Sequence, residues 1–341
     1  MTQRILIVFC ILFTFSCSSK GETKTQTQDV VFMGMCDASG AVPLSETLFA
    51  IADDENNVLR VYDIEQGGKA LFTYDVSSSL GIFPKIKKDL NKPPKPAEEL
   101  DIEAATLIGD TAYWITSHGR NKSGKHKPER FHFFATQLNT KFNSAVLVGQ
   151  PYVSLLDELL VDPRFRQFDL DKASLKAPKE QGGLNIEGMT KRRDGGVWIG
   201  FRNPVPKGKA LLFSLLNPEE VVLNGESAKF GDPITLSLED RGVRALSWWR
   251  GQYLITAGGY DGGGQSSLYT WDGVSQSPKV LVDYNQGEFN PEAFFTAESR
   301  DQIMLFSDDG TVVIDGQECK SLDDATKKQF RGRWLKVPQK K

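Results

Sequence analysis

The chain has 341 residues, 40% of them hydrophobic and 25% charged, with a formal net charge of −3. That length accommodates one large core or two smaller ones. The near-balanced charge excludes a molecule-wide field suited to holding nucleic acid, and no interior stretch reaches the roughly 18 apolar residues of a membrane-spanning helix.

At the N-terminus, "MTQRILIVFCILFTFSC" has the basic start, apolar centre and small residue before a cut that mark an export signal, residues 1–17. Ser16-Cys17 resembles the lipobox of bacterial lipoproteins. The resemblance implies a lipid anchor on Cys17, membrane attachment, and, from Ser18, an outer-membrane destination. Thr14 and Phe15 depart from that pattern, which keeps a periplasmic or secreted form open. Residues 18–29, polar throughout, read as a flexible tether, and 30–341 as the folded domain. Outside the leader and its end, the cysteines are Cys36 and Cys319. In an oxidising compartment they either pair, stapling the two ends of the domain, or stay as separate buried thiols.

Five stretches then repeat one plan: a polar lead residue, Ala or Gly, a short apolar run, a turn, and a second apolar strand ending in a polar loop. They begin at Cys36, Ile102, Ile186, Val243 and Pro291, with lead residues Asp37, Glu103, Glu187, Arg244 and Glu292. Lead residue and polar loop are 15 or 16 residues apart in all five. Each unit is followed by two more short runs rich in Val, Leu, Phe and Tyr, such as "VLRVYD" and "ALFTYDV" after the first, and "TVVID" and "RWLKV" after the fifth. Five units of four strands predict an all-β fold, a five-bladed β-propeller, with a sixth blade as the alternative. Residues 150–180 fit no blade; their leucine spacing predicts a short helical insertion between the second and third.

In a propeller the innermost strands line the central channel, so the lead residues gather at one mouth. Four carboxylates and one arginine cannot sit there unbalanced. A hard divalent cation, Ca²⁺ above all, held by Asp37, Glu103, Glu187 and Glu292, supplies the missing charge. The alternative is that Arg244 bridges the glutamates and the ring is structural. The loop "SHGRNKSGKHKPER" and the segment "FRNPVPKGK" add basic side chains nearby, which suit a small anion such as a phosphate or carboxylate ester. His118, Arg120, Arg202 and Arg244 are the candidate catalytic and anion-binding residues, with His118 as acid/base. The three histidines lack zinc spacing and cysteine partners, and the chain carries no G-x-S-x-G, P-loop or H-E-x-x-H motif. Trp248-Trp249 reads as blade packing.

Taken together, "CDASGAV", "ADDENNVLRVYD", "DIEAAT", "TSHGRNKSGK", "NIEGMT", "GFRNP" and "GVRALSWW" resemble the bacterial family called domain of unknown function 3616, over about residues 32 to 320. The "IEG" signature is also similar to that of phytase-like and esterase-like propellers, and a glutamate ring on a propeller axis to the five-bladed calcium-activated nucleotidases. These looser likenesses imply a layout only; Arg244 stands where such a calcium site has a neutral or acidic ligand. Two functions are expected: a monomeric envelope hydrolase of a small anionic ester, metal-dependent and phosphoesterase-like, or a non-catalytic binding or scaffold propeller whose charged well is structural.

Overall fold

The structure, a computed structural model, describes residues 29–87, 91, 94–285 and 288–338. The expected signal, Cys17 and all but the last residue of the tether lie outside the described residues.

Five sheets form five blades, as the repeats predict, all antiparallel except where Gly68–Lys69 pairs parallel to Val30–Met33 at the edge of the last. Blade one runs Ala38–Pro43, Leu48–Asp53, Asn56–Asp63, Phe72–Asp75 from axis to rim. Blade two is Ile102–Ile108, Thr111–Thr116, Phe133–Asn139, Ser144–Tyr152. Blade three is Asn185–Lys191, Val197–Asn203, Ala210–Leu215, Ile234–Leu236. Blade four is Gly242–Trp249, Gln252–Gly258, Ser266–Trp271, Lys279–Tyr284. Blade five starts with Pro291–Phe295, Gln302–Ser307 and Gln329–Lys336. The second strands read as unbroken apolar runs, "LFAIAD" and "VWIGFRN", because neighbouring blades cover both of their faces. On the rim, by contrast, Ser144–Tyr152 buries none of its residues.

The last blade departs from the sequence reading. "TVVID" does not join it: Val313–Ile314 and Gln317–Glu318 make a separate small hairpin. The fourth strand comes instead from the other end of the chain, Val30–Met33, antiparallel to Gln329–Lys336. An edge strand leaves a row of unpaired backbone groups, and the N-terminal segment covers that edge while closing the ring. The two cysteines complete the closure: Cys36 and Cys319 form a disulfide with their Cα atoms 5.9 Å apart. Between blades five and one, Phe32, Phe49, Tyr62, Phe306 and Phe330 form one aromatic cluster with ring centroids 4.5–5.8 Å apart.

The blades are also stitched at the axis by hydroxyls. The Thr106 Oγ1 accepts from the Lys191 N–H, Thr190 Oγ1 from the Trp248 N–H, and Ser247 Oγ bonds Thr296 Oγ1. Ser39 Oγ donates to the Ile102 carbonyl at 2.6 Å. Trp249 is fully buried and donates to the Ala297 carbonyl, the packing role expected of it.

The expected insertion is present as the helices Leu155–Val161 and Leu170–Ala173, with a 3-10 turn at Arg166–Phe168 between them. Leu155, Leu156 and Leu159 face the core, and Phe165 packs edge-on against Phe213 and Phe230 of blade three. A third helix, Pro218–Asn224, was not anticipated, although "NPEEVVLNG" carries its signals. Pro218 opens it, Glu219 and Glu220 sit in its first turn, and Gly225 ends it with φ 64°.

Candidate functional site: an acidic well on the propeller axis

Each inner strand carries a β-bulge near its start, and the bulge decides what points at the axis. In blades two to five the residue left out of the ladder is Glu103, Glu187, Arg244 and Glu292. A bulge puts two residues opposite one, so the strand bends and re-aims a side chain while its neighbours keep packing. This is why an acid stands inside an otherwise apolar strand. Blade one differs from the sequence alignment. Its bulge comprises Ser39 and Gly40 opposite Ala52, so Gly40 occupies the ring level and Asp37 lies upstream. Glycine is required there by contact: a Cβ on Gly40 would fall 2.5 Å from the carbonyl carbon of Ala104 in the next blade.

Above the ring opens a cavity of about 840 Å³, lined among others by Glu103, Glu187, Arg202, Arg244, Glu292 and Asp308. Below the ring the axis narrows to a void of about 20 Å³ before the opposite mouth.

One side of the well is an ion-pair chain. Arg202 Nη1 donates to Glu187 Oε1 at 2.5 Å, and Asn185 Nδ2 donates to the same oxygen at 2.7 Å. Arg244 Nε is 3.7 Å from Glu187 Oε2, while its other nitrogens engage Glu292 and the Asn290 side-chain oxygen. Two arginines thus balance two glutamates. Burial, with repulsion from Arg202, pulls Arg244 down to about 10, where it stays charged at neutral pH. Four buried polar atoms here lack a hydrogen-bond partner: Arg202 Nη2, Arg244 Nε, Asn185 Oδ1 and Glu187 Oε2.

The other side holds more acids than its nearest arginine, Arg130, can pair. Asp54, Asp101 and Glu103 each bring a carboxylate oxygen within 4.8 Å of the others. Burial first, then mutual repulsion, raises Asp54 and Glu103 well above the usual carboxylate range. Asp101 is raised by burial against the pull of Arg130, which bonds it at 2.7 Å and also grips Glu99. Asp101 has φ 61°, a left-handed backbone that holds it beside the bulge. Asp37, Asp53 and Asp54 form an adjoining group at the same spacing. Burial, then repulsion from Asp308 and Asp53, takes Asp37 up to about 8; burial takes Asp53 to about 6 against Arg60.

Of the sequence-derived residues, the structure thus brings together Glu103, Glu187, Arg202, Arg244 and Glu292, with Asp37 outside the lining but next to it. It does not bring His118 or Arg120 there. His118 is buried, takes φ 53°, faces the Thr116 carbonyl through Nδ1 at 2.8 Å and meets Phe131 edge-on. Burial lowers it to about 4. Arg120 is spent on the Ser174 and Gly124 carbonyls, tying its hairpin to the helical insertion. The residues of these carboxylate groups that sequence reasoning did not anticipate are Asp53, Asp54 and Asp101. All three flank repeat landmarks, in "ADDENN" and "DIEAAT", but their types gave no reason to rank them above other loop acids.

The model of a family described as "Protein of unknown function (DUF3616)" matches residues 125–296, half of the chain. Among similar solved structures is the PQQ-bound form of aldose sugar dehydrogenase from Streptomyces coelicolor, 12% identical at TM-score 0.44 over 91% of this chain and 99% of that one. A luciferin-regenerating enzyme is 9% identical at TM-score 0.41 (91% and 96% covered), and glutaminyl cyclase from Myxococcus xanthus 10% at 0.41 (91% and 96%). Likenesses of that size say nothing of this chain's chemistry. No curated protein matches the sequence.

Proposed function

We propose that this chain, which belongs to the DUF3616 family, uses its axial well to bind and hydrolyse a small anionic ester with the help of a divalent cation. The observation that carries the reading is the grouping of Asp54, Asp101 and Glu103, three carboxylates within 4.8 Å of one another. No hydrogen-bond donor reaches the Glu103 side chain among the described residues. Like charges this close are stable only if protonated or joined by a cation, and an all-oxygen set suits Ca²⁺ or Mg²⁺. A cation here supplies Lewis acidity and offsets the charge of an incoming anion. Opposite it, the unpartnered N–H groups of Arg202 and Arg244 are donors for phosphate or carboxylate oxygens. Relative to the sequence expectation, the cation moves: Glu187 and Glu292 are committed to arginines, and Glu103 alone of the original four is in this ligand set.

Hydrolysis then needs water to attack the ester centre, the bond to the leaving alcohol to break, and the water's proton to reach that alkoxide through a carboxylate of the well. The phytase-like and nucleotidase-like resemblances agree with this reading but rest on short motifs and layout. The scaffold alternative draws on one observation, the self-balanced Glu187–Arg202–Arg244–Glu292 chain, which needs no ligand. An extracytoplasmic location, by lipid anchor or secretion, is part of the proposal; the Cys36–Cys319 disulfide agrees with an oxidising compartment.

Metal content and calcium titration of the chain, beside Glu103→Gln, form the test, followed by a panel of phosphate and carboxylate esters with and without chelator. Loss of the cation held by Asp54, Asp101 and Glu103 in Glu103→Gln, and chelator-sensitive turnover, are expected. Cation-free protein with no turnover would leave the scaffold reading.

A further inference from the structure

We infer that Asp54 bridges two cation sites, so that a binuclear centre sits at the edge of the well, with Asp37 and Asp53, just outside its lining, completing the second. This second site rests on the cation reading above and narrows the substrate to a phosphate ester.

Asp54 belongs to both carboxylate groups: Asp37–Asp53–Asp54 on one side and Asp54–Asp101–Glu103 on the other, each with its oxygens within 4.8 Å. Acidic clusters are common on surfaces, but here Asp37 and Asp53 are buried and Asp54 is partly so, and not every oxygen among them has a partner. Asp37 is 7% exposed, and no hydrogen-bond donor reaches its carboxylate among the described residues. Asp54 Oδ1 is likewise buried without a partner. An unpaired carboxylate in such a place is costly unless protonated or ligated.

The surroundings also fix these groups as ligands. Asp53 is oriented by the Asn56 side chain at 2.6 Å and the Glu55 N–H at 3.0 Å, with Arg60 at 3.8 Å. Asp37 is pressed from above by the backbone of the next loop, where a Cβ on Gly310 would fall 1.7 Å from Asp37 Oδ1. The glycine therefore makes room for the carboxylate that faces Asp53 and Asp54. Held ligands with one shared carboxylate are what paired divalent cations require, typically about 3.5–4 Å apart.

Such a pair fits one substrate class best. Two cations can contact the attacking and the leaving oxygen of one phosphoryl group, while Arg202 Nη2 and Arg244 Nε donate to the other oxygens. The water oxygen bonds to phosphorus, the P–O bond to the alcohol breaks, and the water's proton passes by a well carboxylate to the departing alkoxide.

The test is calcium stoichiometry on the full chain, stripped with chelator and titrated calorimetrically, with bound metal counted by mass spectrometry. About two equivalents are expected in the parent protein. About one is expected in Asp37→Asn and in Glu103→Gln, and none held tightly in Asp54→Asn. Gly310→Ala keeps every charge but displaces the Asp37 carboxylate, so it should also lose one equivalent. It carries the test if an aspartate variant fails to fold. One equivalent in the parent, unchanged in Asp37→Asn or Gly310→Ala, would overturn the binuclear centre and leave the single-cation reading standing. No equivalent in the parent would overturn both.

Discussion

Arg202 and Glu187 meet at 2.5 Å with side chains only 4% and 3% exposed, at the junction of the first two strands of blade three. Two charges at this depth are each costly, and each is offset by the other through one short bond between Arg202 Nη1 and Glu187 Oε1. Removing one partner strands the other. Arg202→Met should therefore destabilise the fold by about 3–5 kcal/mol, measured by urea unfolding. The double variant Arg202→Met/Glu187→Leu should recover part of that loss. A single-variant loss below about 1 kcal/mol would mean that water already shares the charge, as at exposed pairs.

The disulfide makes a second prediction. Cys36 leads into blade one and Cys319 follows the hairpin inserted in blade five, 283 residues away. Cross-linking so long a loop restricts the unfolded chain, and removing the link typically costs about 2–4 kcal/mol. Cys36→Ser should lower the denaturation midpoint accordingly, and dithiothreitol should reproduce the shift in the parent protein. Hydrogen exchange should show Val30–Met33 opening before blades two to four, because this strand closes the ring from outside. Uniform protection loss across all blades would contradict that order.

His118 makes a prediction about pH. Its folded value is lowered from 6.5 to about 4 by burial. A group depressed in the fold contributes stability that is present above its unfolded value and lost as pH falls through the folded one. Stability should thus drop between about pH 6.5 and 4, by on the order of 3 kcal/mol from this residue. His118→Asn, which tolerates the left-handed backbone, should remove that part of the slope. The imidazole proton resonance of His118 should not titrate until near pH 4; titration near 6.5 would place the ring in solvent and overturn the assignment. His118 would then return as a candidate acid/base.

What the sequence made legible follows from what repeats. Glu103, Glu187, Arg244 and Glu292 could be aligned because each sits in a bulge followed by Ala or Gly, and a bulge imposes that local pattern. Blade one broke the pattern. The acid of the right type, Asp37, stands three residues before Gly40, and only the ladder register tells them apart. Ring closure was hidden for another reason: Val30–Met33 is four residues long, and its partner is decided by which edge the finished ring leaves open. The pairing of Glu187 with Arg202 joins adjacent strands of one blade, whereas Arg244 reaches Glu187 and Glu292 across blades. Such cross-blade partners have no signature in local spacing. The helix Pro218–Asn224, by contrast, was written in its caps.

Gly40 provides the last prediction, and it tests the geometry of the ring without touching a charge. A methyl group there would meet backbone atoms of Ala104 and Ala105 at 2.5–2.7 Å, and backbone cannot swing aside as a flexible side chain does. Blade one must move away from blade two, stretching the Ser39 Oγ bond to the Ile102 carbonyl. Overpacking of this kind costs about 1–3 kcal/mol, so Gly40→Ala should lower stability by that amount in thermal or urea unfolding. The displaced atoms lie next to Glu103, the bulge residue of blade two. Affinity for the proposed cation should therefore weaken together with stability, although none of its proposed ligands has been changed. If Gly40→Ala loses stability and keeps full affinity, Glu103 is not held by the blade contact, and the ligand set must be anchored from Asp101 and Arg130 instead.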